Sequence, residues 1–404
     1  MLTLFCTCTL GKMLVQSLPE GPLDIVGDIH GEYGALLSLM DRMGYDYEGC
    51  HGEGRIMVFV GDLIDRGPDS ISVVRLVRRL VEAKRAYCIL GNHELNVLLG
   101  KANSGSKWLY GEKESLIRDK KDRHTLQALA DEATRCEILD FLQNLPIVLE
   151  RSDVRVVHAA WDDAAVDKLR SSKLRTVLDA YYFYKSEVDN MITSLLKTST
   201  ARAERDRLLA KWTPTGAEGL GPNQRYGPVS EDELYIQCGE LMHQNENPVN
   251  VVLSGFEEVS PSPFFAGGKE RTLRRKRWWN HYPSDSPLVV FGHYWRKASH
   301  TESNSEDVHL FGLDESGKVS CQPFSLLYTS ERYVNAACVD YSIGRRYIER
   351  AEGKISGETG TALGALRLPE KVLYLHDRPP CDLRGVPGQG VTIDNGGHVL
   401  EPTS

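Results

Sequence analysis

Three short strings of residues carry side chains of the kind that bind metal ions, and each string follows an apolar run. They are GDIHG at 27–31, GDLIDRG at 61–67 and GNHE at 91–94. Two single histidines, His158 and His293, follow later apolar runs. Carboxylate, imidazole and amide oxygen suit Mn, Fe or Zn, and the absence of cysteine from every string argues against a structural zinc site. The pattern therefore predicts a catalytic centre for two divalent metal ions, with Mn preferred and Fe or Zn as alternatives.

The chemistry expected of such a centre is hydrolysis at phosphorus. A shared carboxylate holds two ions about 3.5 to 4 Å apart, their bridging water is deprotonated near neutral pH, and both ions neutralise charge on the attacked phosphoryl group. Asp62 is the candidate for that carboxylate. Glycine flanks Asp62, Asn92 and His293, which permits sharp turns and the close approach of a bulky phosphate to the backbone. We therefore expect direct attack by a metal-bridging hydroxide.

Alternating strand and helix signals place the three strings along one edge of a sheet. Apolar runs at 23–26, 56–60 and 86–90 predict strands, and residues 33–43 and 68–81 between them show helical spacing. Right-handed crossovers put the carboxyl ends of neighbouring parallel strands on the same edge. The strings are therefore expected to share one site.

Further strand signals follow in the second half of the chain. His158 ends the run 154–157, and His293 follows the run 288–291 by one residue. The run 249–253 also predicts a strand.

The domain organisation follows from the spread of these motifs. Because they extend from Asp28 to His293, residues 1–404 are expected to form a single catalytic domain. Residues 163–286 predict a mainly helical insertion, which is a candidate cap over the site. The Gly- and Pro-rich residues 378–404 predict an irregular tail.

Composition limits the environment and the partners. The net charge of -8 does not indicate bulk attraction to nucleic acid or to a membrane. The 9 cysteines are scattered and odd in number, which favours reduced thiols in a cytoplasm. Residues 1–10 are apolar but lack a basic leader, and no run reaches the roughly 20 apolar residues that span a bilayer. A cytoplasmic protein without membrane contact is expected.

The strings GDIHG, GDLIDRG and GNHE, with a lone strand-end histidine and a later Gly-His pair, resemble those of the calcineurin-like metallophosphoesterases. The arginine of GDLIDRG points to the phosphoprotein-phosphatase and diadenosine-tetraphosphatase branch. The resemblance is strong over residues 22–100 and weaker around His158 and His293. It is also weaker over the closing antiparallel strands, which the sequence predicts at 333–341, 362–368 and 371–375. It implies an α/β fold of four layers, in which a two-sheet β sandwich is flanked by helices.

The resemblance also implies a role for each residue of the strings. Asp28, His30 and Asp62 would hold one metal ion, and Asp62, Asn92, His158 and His293 the other. His93 would be the general acid that protonates the leaving oxygen, oriented by Asp65, and Arg66 would clamp the phosphate. The structural alternative for His93 and Asp65 is a supporting hydrogen-bonded pair, and for Arg66 an ion pair with Asp69.

Three departures from the family pattern bear on the substrate. Protein phosphatases usually carry arginine before GNHE, whereas this chain has Leu90; the position is also apolar in dinucleoside-polyphosphate hydrolases and in small bacterial protein phosphatases. Ala159 replaces a common glycine after His158. The final Gly-His pair is followed by Tyr294, Trp295 and Arg296, and Arg296 is a candidate substitute for the missing arginine.

These observations leave three functions open. The leading one is hydrolysis of phosphomonoesters, with phosphoserine or phosphothreonine proteins as substrates. The alternative is a bis(5'-nucleosyl)-tetraphosphatase that cleaves diadenosine polyphosphates. The third is a non-catalytic partner-binding protein on the same fold, although a full set of metal ligands argues against it.

A basic segment stands out in this acidic chain. It spans residues 269–277 and precedes Trp278 and Trp279. A solvated loop anchored by the two tryptophans is the preferred interpretation. The alternatives are contact with nucleic acid and steering of polyanionic substrates towards the metal ions. The basic residues are Lys269, Arg271, Arg274, Arg275, Lys276 and Arg277.

Overall fold

The computed structural model describes residues 13–101, 105–113, 127–197, 231–266, 269–296, 328–329, 332–333, 335–351, 353, 360–382, 391–393 and 399–400. The apolar start of the chain lies outside the described residues.

Two β-sheets form the centre of the fold. The first sheet follows the order β18-β17-β16-β15-β14-β2-β3-β4, and β13 also pairs with β14. Strands β2, β3 and β4 are parallel, whereas β14 to β18 are antiparallel to their neighbours. The strands are β2 (Leu23–Val26), β3 (Ile56–Phe59), β4 (Ala86–Cys88), β13 (Asp340–Tyr341), β14 (Ala362–Leu368), β15 (Val372–Leu375), β16 (Arg378–Asp382), β17 (Val391–Ile393) and β18 (Val399–Leu400).

The second sheet follows the order β1-β5-β6-β9-β12. Its pairs are parallel except for β5 with β6. The strands are β1 (Val15–Ser17), β5 (Val148–Glu150), β6 (Val154–Val157), β9 (Leu288–Phe291) and β12 (Ala336–Cys338). Two antiparallel ribbons lie outside both sheets, namely β7 (Glu257–Ala266) with β8 (Lys269–Arg275) and β10 (Tyr328–Thr329) with β11 (Arg332–Tyr333).

The two sheets pack face to face because their strands are apolar on both sides. Successive side chains of a strand point to opposite faces. Ile25 of β2 is buried in a cluster with Val156 of β6 and Val290 of β9, while its neighbour Val26 is buried in a second cluster with Leu36 of the first helix. The predicted two-sheet sandwich flanked by helices is confirmed.

The helices have ordinary sequence signals. Asp69 begins the helix 70–82 by accepting a hydrogen bond from the Ser72 N–H at 2.9 Å, so it serves as an N-cap and not as the partner of Arg66. None of the helices among the described residues has the length and hydrophobicity of a membrane-spanning segment. The helices are α1 (Tyr33–Met43), α2 (Ser70–Glu82), α3 (Asn92–Leu98), α4 (Glu132–Leu142), α5 (Asp163–Ser171), α6 (Val177–Lys197), α7 (Glu231–Glu246), α8 (Pro248–Ser254) and α9 (Arg346–Ala351).

The prediction of a strand at 249–253 is wrong, because these residues lie in helix α8. Asn247 accepts a hydrogen bond from the Val249 N–H at 3.0 Å, and Pro248 occupies the first turn. A capping residue followed by proline favours the start of a helix, and this signal outweighed the β-branched run.

The region 163–286 contains both helices and a β-ribbon. Helices α5 to α8 are followed by the ribbon β7–β8, and most of the basic segment forms β8. A solvated loop was the interpretation preferred for the basic segment, but residues 269–275 form a strand. In the tail, the described residues form β16, β17 and β18, which extend the first sheet where the sequence predicts irregular chain.

Candidate metal centre

The predicted metal ligands come from both sheets and meet at the side of the sandwich where the strands that carry them end. In the first sheet, Asp28 and His30 follow β2, Asp62 follows β3, and Asn92 begins α3 after β4. In the second sheet, His158 follows β6 and His293 follows β9. Because the strands within each group are parallel, their carboxyl ends lie together.

The loops that carry these residues have an uncommon backbone conformation. Positive φ angles occur at His30 (48°), Asp62 (49°), Asp65 (74°), Arg66 (67°) and His293 (66°). Such conformations cost on the order of 1 to 3 kcal/mol each and persist where surrounding contacts fix them. The N–H groups of Ile29 and His30 both donate to the Asp62 carbonyl, at 3.0 and 2.9 Å, which ties the first two loops together.

Glu94, the last residue of GNHE, fixes the second and third loops to each other. It is fully buried and accepts hydrogen bonds from the backbone N–H groups of Asp62 (2.9 Å), Leu63 (2.8 Å), Ile64 (3.3 Å) and Gly91 (2.8 Å). Burial raises its pKa to about 7, whereas the backbone donors favour the carboxylate. A methyl group at Gly91 would overlap the Asp62 side chain, so only glycine fits there.

The side chains of Asp28, His30 and Asp62 converge in one half of the centre. His30 Nε2 lies 4.0 Å from Asp28 Oδ2 and 3.6 Å from Asp62 Oδ2. His30 Nδ1 donates to the Ile64 carbonyl at 3.0 Å, so Nε2 presents its lone pair to the site. Burial and the nearby Arg66 guanidinium lower the pKa of His30, which keeps the ring neutral, as a metal ligand must be.

Asp62, Asn92, His158 and His293 form the other half. Asn92 Oδ1 lies 3.0 Å from His158 Nε2 and 2.8 Å from His293 Nδ1. His158 Nε2 is also 3.4 Å from Asp62 Oδ1. Asp62 thus faces both halves, as expected of a shared ligand.

The donor set of the second half fits a cation. His158 Nδ1 donates to the Val60 carbonyl at 2.8 Å, so the lone pair of Nε2 faces two oxygen acceptors. Burial alone would lower the pKa of His158, but the Asp62 carboxylate raises it to about 10. The atoms around Nε2 therefore favour a positive charge, which either protonation of His158 or a divalent ion would supply. Two groups of three potential ligand residues can be drawn in this centre, His30 with Asp62 and His93, and Asp28 with Asp62 and His158.

His93 and Asp65 form a hydrogen-bonded pair beside the ligands. His93 Nδ1 lies 2.6 Å from Asp65 Oδ2, and Trp108 Nε1 donates to Asp65 Oδ1 at 2.9 Å. His93 Nε2 therefore faces the site, 4.0 Å from Asp62 Oδ2 and 3.1 Å from Arg66 Nη2. This geometry suits a proton donor whose ring is held from behind.

The family model for calcineurin-like phosphoesterases matches residues 21–255, more than half of the 404 residues. The chain belongs to the calcineurin-like phosphoesterase family. The family predicted from the sequence motifs is thereby confirmed.

Several relatives of this phosphoesterase are named as bis(5'-nucleosyl)-tetraphosphatases. The bis(5'-nucleosyl)-tetraphosphatase PrpE (asymmetrical) of Halalkalibacterium halodurans is 51% identical over 73 residues, which are 17% of this chain and 30% of the relative. The PrpE of Oceanobacillus iheyensis is 34% identical over 140 residues, 34% of this chain and 54% of the relative. The symmetrical bis(5'-nucleosyl)-tetraphosphatase of Dechloromonas aromatica is 36% identical over 134 residues, 33% of this chain and 42% of the relative. The matched segments thus span about a third to a half of these relatives.

A solved structure similar to this phosphoesterase is the cold-active protein-tyrosine phosphatase of a psychrophilic Shewanella species. The two are 16% identical, with a TM-score of 0.38, over 94% of this chain and 81% of that one.

Two arginines and a tryptophan of this phosphoesterase lie beside the metal centre. The Arg66 guanidinium lies 5.2 Å from the centre of the Trp295 ring, and that of Arg275 lies 5.6 Å from the same ring. Arg275 Nη1 also donates to the His293 carbonyl at 2.8 Å. Burial lowers the pKa of Arg275, yet a guanidinium with so high an ordinary pKa stays charged. Strand β8 thus contributes a cation to the site.

Arg275 packs beside Arg66 on Trp295, and the phosphate-binding role suggested for Arg296 stays a prediction. Arg296 is buried, its N–H donates to the Asp340 carbonyl at 3.0 Å, and its carbonyl accepts from the Ser342 hydroxyl at 2.7 Å. The sequence analysis noted Arg275 only as one of several basic residues, and charge alone did not distinguish it from its neighbours.

Proposed function

We propose that this phosphoesterase hydrolyses dinucleoside polyphosphates with the aid of two divalent cations. The observation that carries the choice of substrate is the similarity to relatives named bis(5'-nucleosyl)-tetraphosphatases. The alternative function from the sequence, cleavage of diadenosine polyphosphates, is thus favoured over hydrolysis of phosphomonoesters.

Leu90 is compatible with the same choice, although small bacterial protein phosphatases are apolar at this position too. Its side chain is fully buried in the core, and its N–H donates to the Pro146 carbonyl at 2.9 Å. It cannot contact a phosphate, so the arginine usual in protein phosphatases has no substitute at this position.

The metal ions would be held by residues that converge in the structure. Asp28, His30 and Asp62 would hold one ion, and Asp62, Asn92, His158 and His293 the other. When bound, such ions activate water at neutral pH and neutralise negative charge on phosphate. Mn is our preferred ion, and Fe or Zn are alternatives, because carboxylate, imidazole and amide ligands accept all three.

His93 would donate a proton to the oxygen that leaves phosphorus. Asp65 orients its ring, and the charge of that carboxylate stabilises the protonated imidazole. The proton would pass from Nε2 to the departing phosphate oxygen, after which His93 is reprotonated from solvent. Arg66 Nη2 donates to His93 Nε2 at 3.1 Å, and these N–H donors would turn to the phosphate.

Arg66 and Arg275 would bind the polyphosphate. Two guanidinium groups flanking one indole can engage more than one phosphate, which suits a chain of phosphates better than a single ester. Trp295 limits the freedom of both side chains through cation–π contacts. This argument favours polyanion binding by Arg275 within the site over a general nucleic-acid surface on residues 269–277.

The proposal is tested with the purified full chain and three substrates in the presence of Mn²⁺. Diadenosine tetraphosphate, para-nitrophenyl phosphate and a phosphoserine peptide are compared by kcat/KM, with product chromatography to distinguish two ADP from ATP plus AMP. We expect the highest kcat/KM for the tetraphosphate. A higher value for the phosphopeptide would overturn the proposal in favour of a protein phosphatase. Binding of Mn²⁺ without turnover of any substrate would support the non-catalytic alternative.

A further inference from the structure

Asp340 lies where the chain crosses from one sheet to the other. Strand β12 runs parallel to β9 in the second sheet, and Asp340 then pairs with Leu363 of β14 in the first sheet. The Val339 N–H donates to the Phe291 carbonyl at 2.8 Å, which places Asp340 level with the end of β9. Asp340 therefore stands at the edge that carries the predicted metal ligands.

The backbone on both sides of Asp340 touches the ligand loops. A methyl group at Gly27, the residue before Asp28, would collide with the Val339 carbonyl. A methyl group at Gly344, four residues after Asp340, would overlap the side chains of His30 and Arg66. Asp340 is thus enclosed between the Asp28 loop and the turn that covers His30.

One oxygen of the Asp340 carboxyl group has no partner. The residue is 1% exposed, and Oδ1 accepts a hydrogen bond from the Ser342 N–H at 2.8 Å. Oδ2 is buried and has no hydrogen-bond partner in the described part of the chain. An unpaired buried carboxylate is costly, so it indicates a missing positive or hydrogen-donating group.

Asp340 lies close enough to the predicted metal ligands to interact with them electrostatically. Burial raises the pKa of Asp340 to about 6, and the charges that act on it include Arg66, Asp62 and His158. After burial, Asp340 is the strongest influence that raises the pKa of Asp28. Two buried carboxyl groups that repel each other are stabilised together by a cation between or beside them.

We propose that Asp340 is a positioning residue for the divalent cation held by Asp28, His30 and Asp62, with Oδ2 accepting a hydrogen bond from the hydration shell of that ion. This inference rests on the proposed metal centre. Asp340 belongs to neither compact group of three potential ligands, and the proposal gives it a position outside the direct ligands. Loss of such an outer partner typically lowers metal affinity by about 10- to 100-fold.

The test measures metal binding in the absence of substrate. Full-length wild type and Asp340→Asn are stripped of metal and titrated with Mn²⁺ by calorimetry, and the loaded proteins are examined by electron paramagnetic resonance. We expect wild type to bind two ions with a spin-coupled signal. Asp340→Asn should bind one ion about 10- to 100-fold more weakly and show the signal of a single Mn²⁺ at concentrations that fill both wild-type sites.

Stability and control variants separate this role from a structural one. Removing an uncompensated buried charge should leave the melting temperature of the metal-free protein equal or higher, while the increase caused by Mn²⁺ becomes smaller. Ser342→Ala removes the hydroxyl bond to Arg296 in the same turn and should leave both Mn²⁺ affinities unchanged. If Asp340→Asn does not fold, Asp340→Ser provides the same comparison.

Equal Mn²⁺ affinities in wild type and the Asp340 variant would overturn the inference, even if the variant had lower activity. A wild-type protein that binds no Mn²⁺ would overturn the proposed metal centre as well. A protein that binds two ions but does not cleave diadenosine tetraphosphate would contradict the proposed function and leave the expected loss of affinity in Asp340→Asn as the deciding result.

Discussion

Arg66 Nη1 lies 3.0 Å from Nε2 of His30, the nitrogen that faces the predicted metal site. Because His30 Nδ1 donates to the Ile64 carbonyl, Nε2 is an acceptor, and the arginine and a metal ion compete for one lone pair. Arg66 must leave His30 when a cation binds there. Its guanidinium then becomes available to phosphate.

Replacing Arg66 by alanine should separate substrate binding from metal binding. We expect Arg66→Ala to keep or increase the Mn²⁺ affinity, since a competitor is removed, and to lower kcat/KM by about 10- to 100-fold through loss of charge-assisted hydrogen bonds. Calorimetry with Mn²⁺ and steady-state kinetics check both results. Arg78→Ala, which alters a surface ion pair with Glu82, serves as the control. Loss of Mn²⁺ in Arg66→Ala would show that the competition does not occur.

Replacing Asp62 should affect both ions, because its two oxygens face the two halves of the centre. We expect Asp62→Asn to lose bound metal, measured by atomic spectrometry after dialysis, and to lose more activity than Arg66→Ala. Asp163→Asn, a change on the surface, should retain metal. Full metal content with low activity in Asp62→Asn would mean that Asp62 does not bridge the ions.

Replacing His93 should make the rate depend on the leaving group. A series of aryl phosphates from para-nitrophenyl to phenyl phosphate presents leaving oxygens of increasing basicity, and only the basic ones need a proton donor. We expect His93→Ala to reduce kcat by about 10²- to 10⁴-fold for phenyl phosphate and by less for para-nitrophenyl phosphate. A uniform loss across the series would assign His93 to positioning alone.

Arg275 and its neighbour Arg274 form a matched pair for testing the polyphosphate site. Arg275 reaches the His293 carbonyl, whereas Arg274 pairs with Glu258 at 2.8 Å. We expect Arg275→Gln to raise KM for diadenosine tetraphosphate by more than it raises KM for para-nitrophenyl phosphate, and Arg274→Gln to change neither. Equal increases in KM for both substrates would indicate that Arg275 contacts only the phosphate under attack.

His376 should make stability depend on pH. Burial lowers its pKa from 6.5 to about 4; Arg346, Arg378 and Arg42 act in the same direction, and Asp377 opposes them. Between pH 6.5 and about 4, His376 therefore binds a proton in the unfolded chain but not in the native protein. The free energy of unfolding consequently falls as pH decreases from 6.5 towards 4.

The pH effect is measured by urea unfolding at pH 7.5 and 4.5. His376→Gln should lose less stability than wild type over this range, by at most about 3 kcal/mol. His281→Gln controls for the loss of a histidine elsewhere. An equal loss in wild type and His376→Gln would show that His376 is protonated in the native state.

Short-range sequence signals were sufficient for the strand-end residues. An apolar run followed by a polar ligand, in most cases with a glycine between them, encodes both a buried strand and the loop after it, and parallel strands bring such loops together without further information. Asp28, His30, Asp62, Asn92, His158 and His293 meet for this reason.

Contacts distant in sequence were not predicted. Trp108 reaches Asp65 across 43 residues, and Arg275 reaches His293 from an antiparallel ribbon that was interpreted as a loop. No local pattern specifies such pairings. Asp340 is different, because it follows the apolar run Ala336–Val339 as the predicted ligands follow theirs, but no glycine or histidine beside it distinguishes it from a structural carboxylate.

The distribution of the predicted ligands over both sheets has a mechanical consequence. Four predicted ligands lie on one sheet and two on the other, so bound ions would link the two sheets at a single edge. Removing them would leave the apolar interior and hydrogen bonds such as that from His158 to the Val60 carbonyl to resist separation of the layers. Chelation should therefore lower the urea concentration at which the whole sandwich unfolds, and not merely loosen one loop.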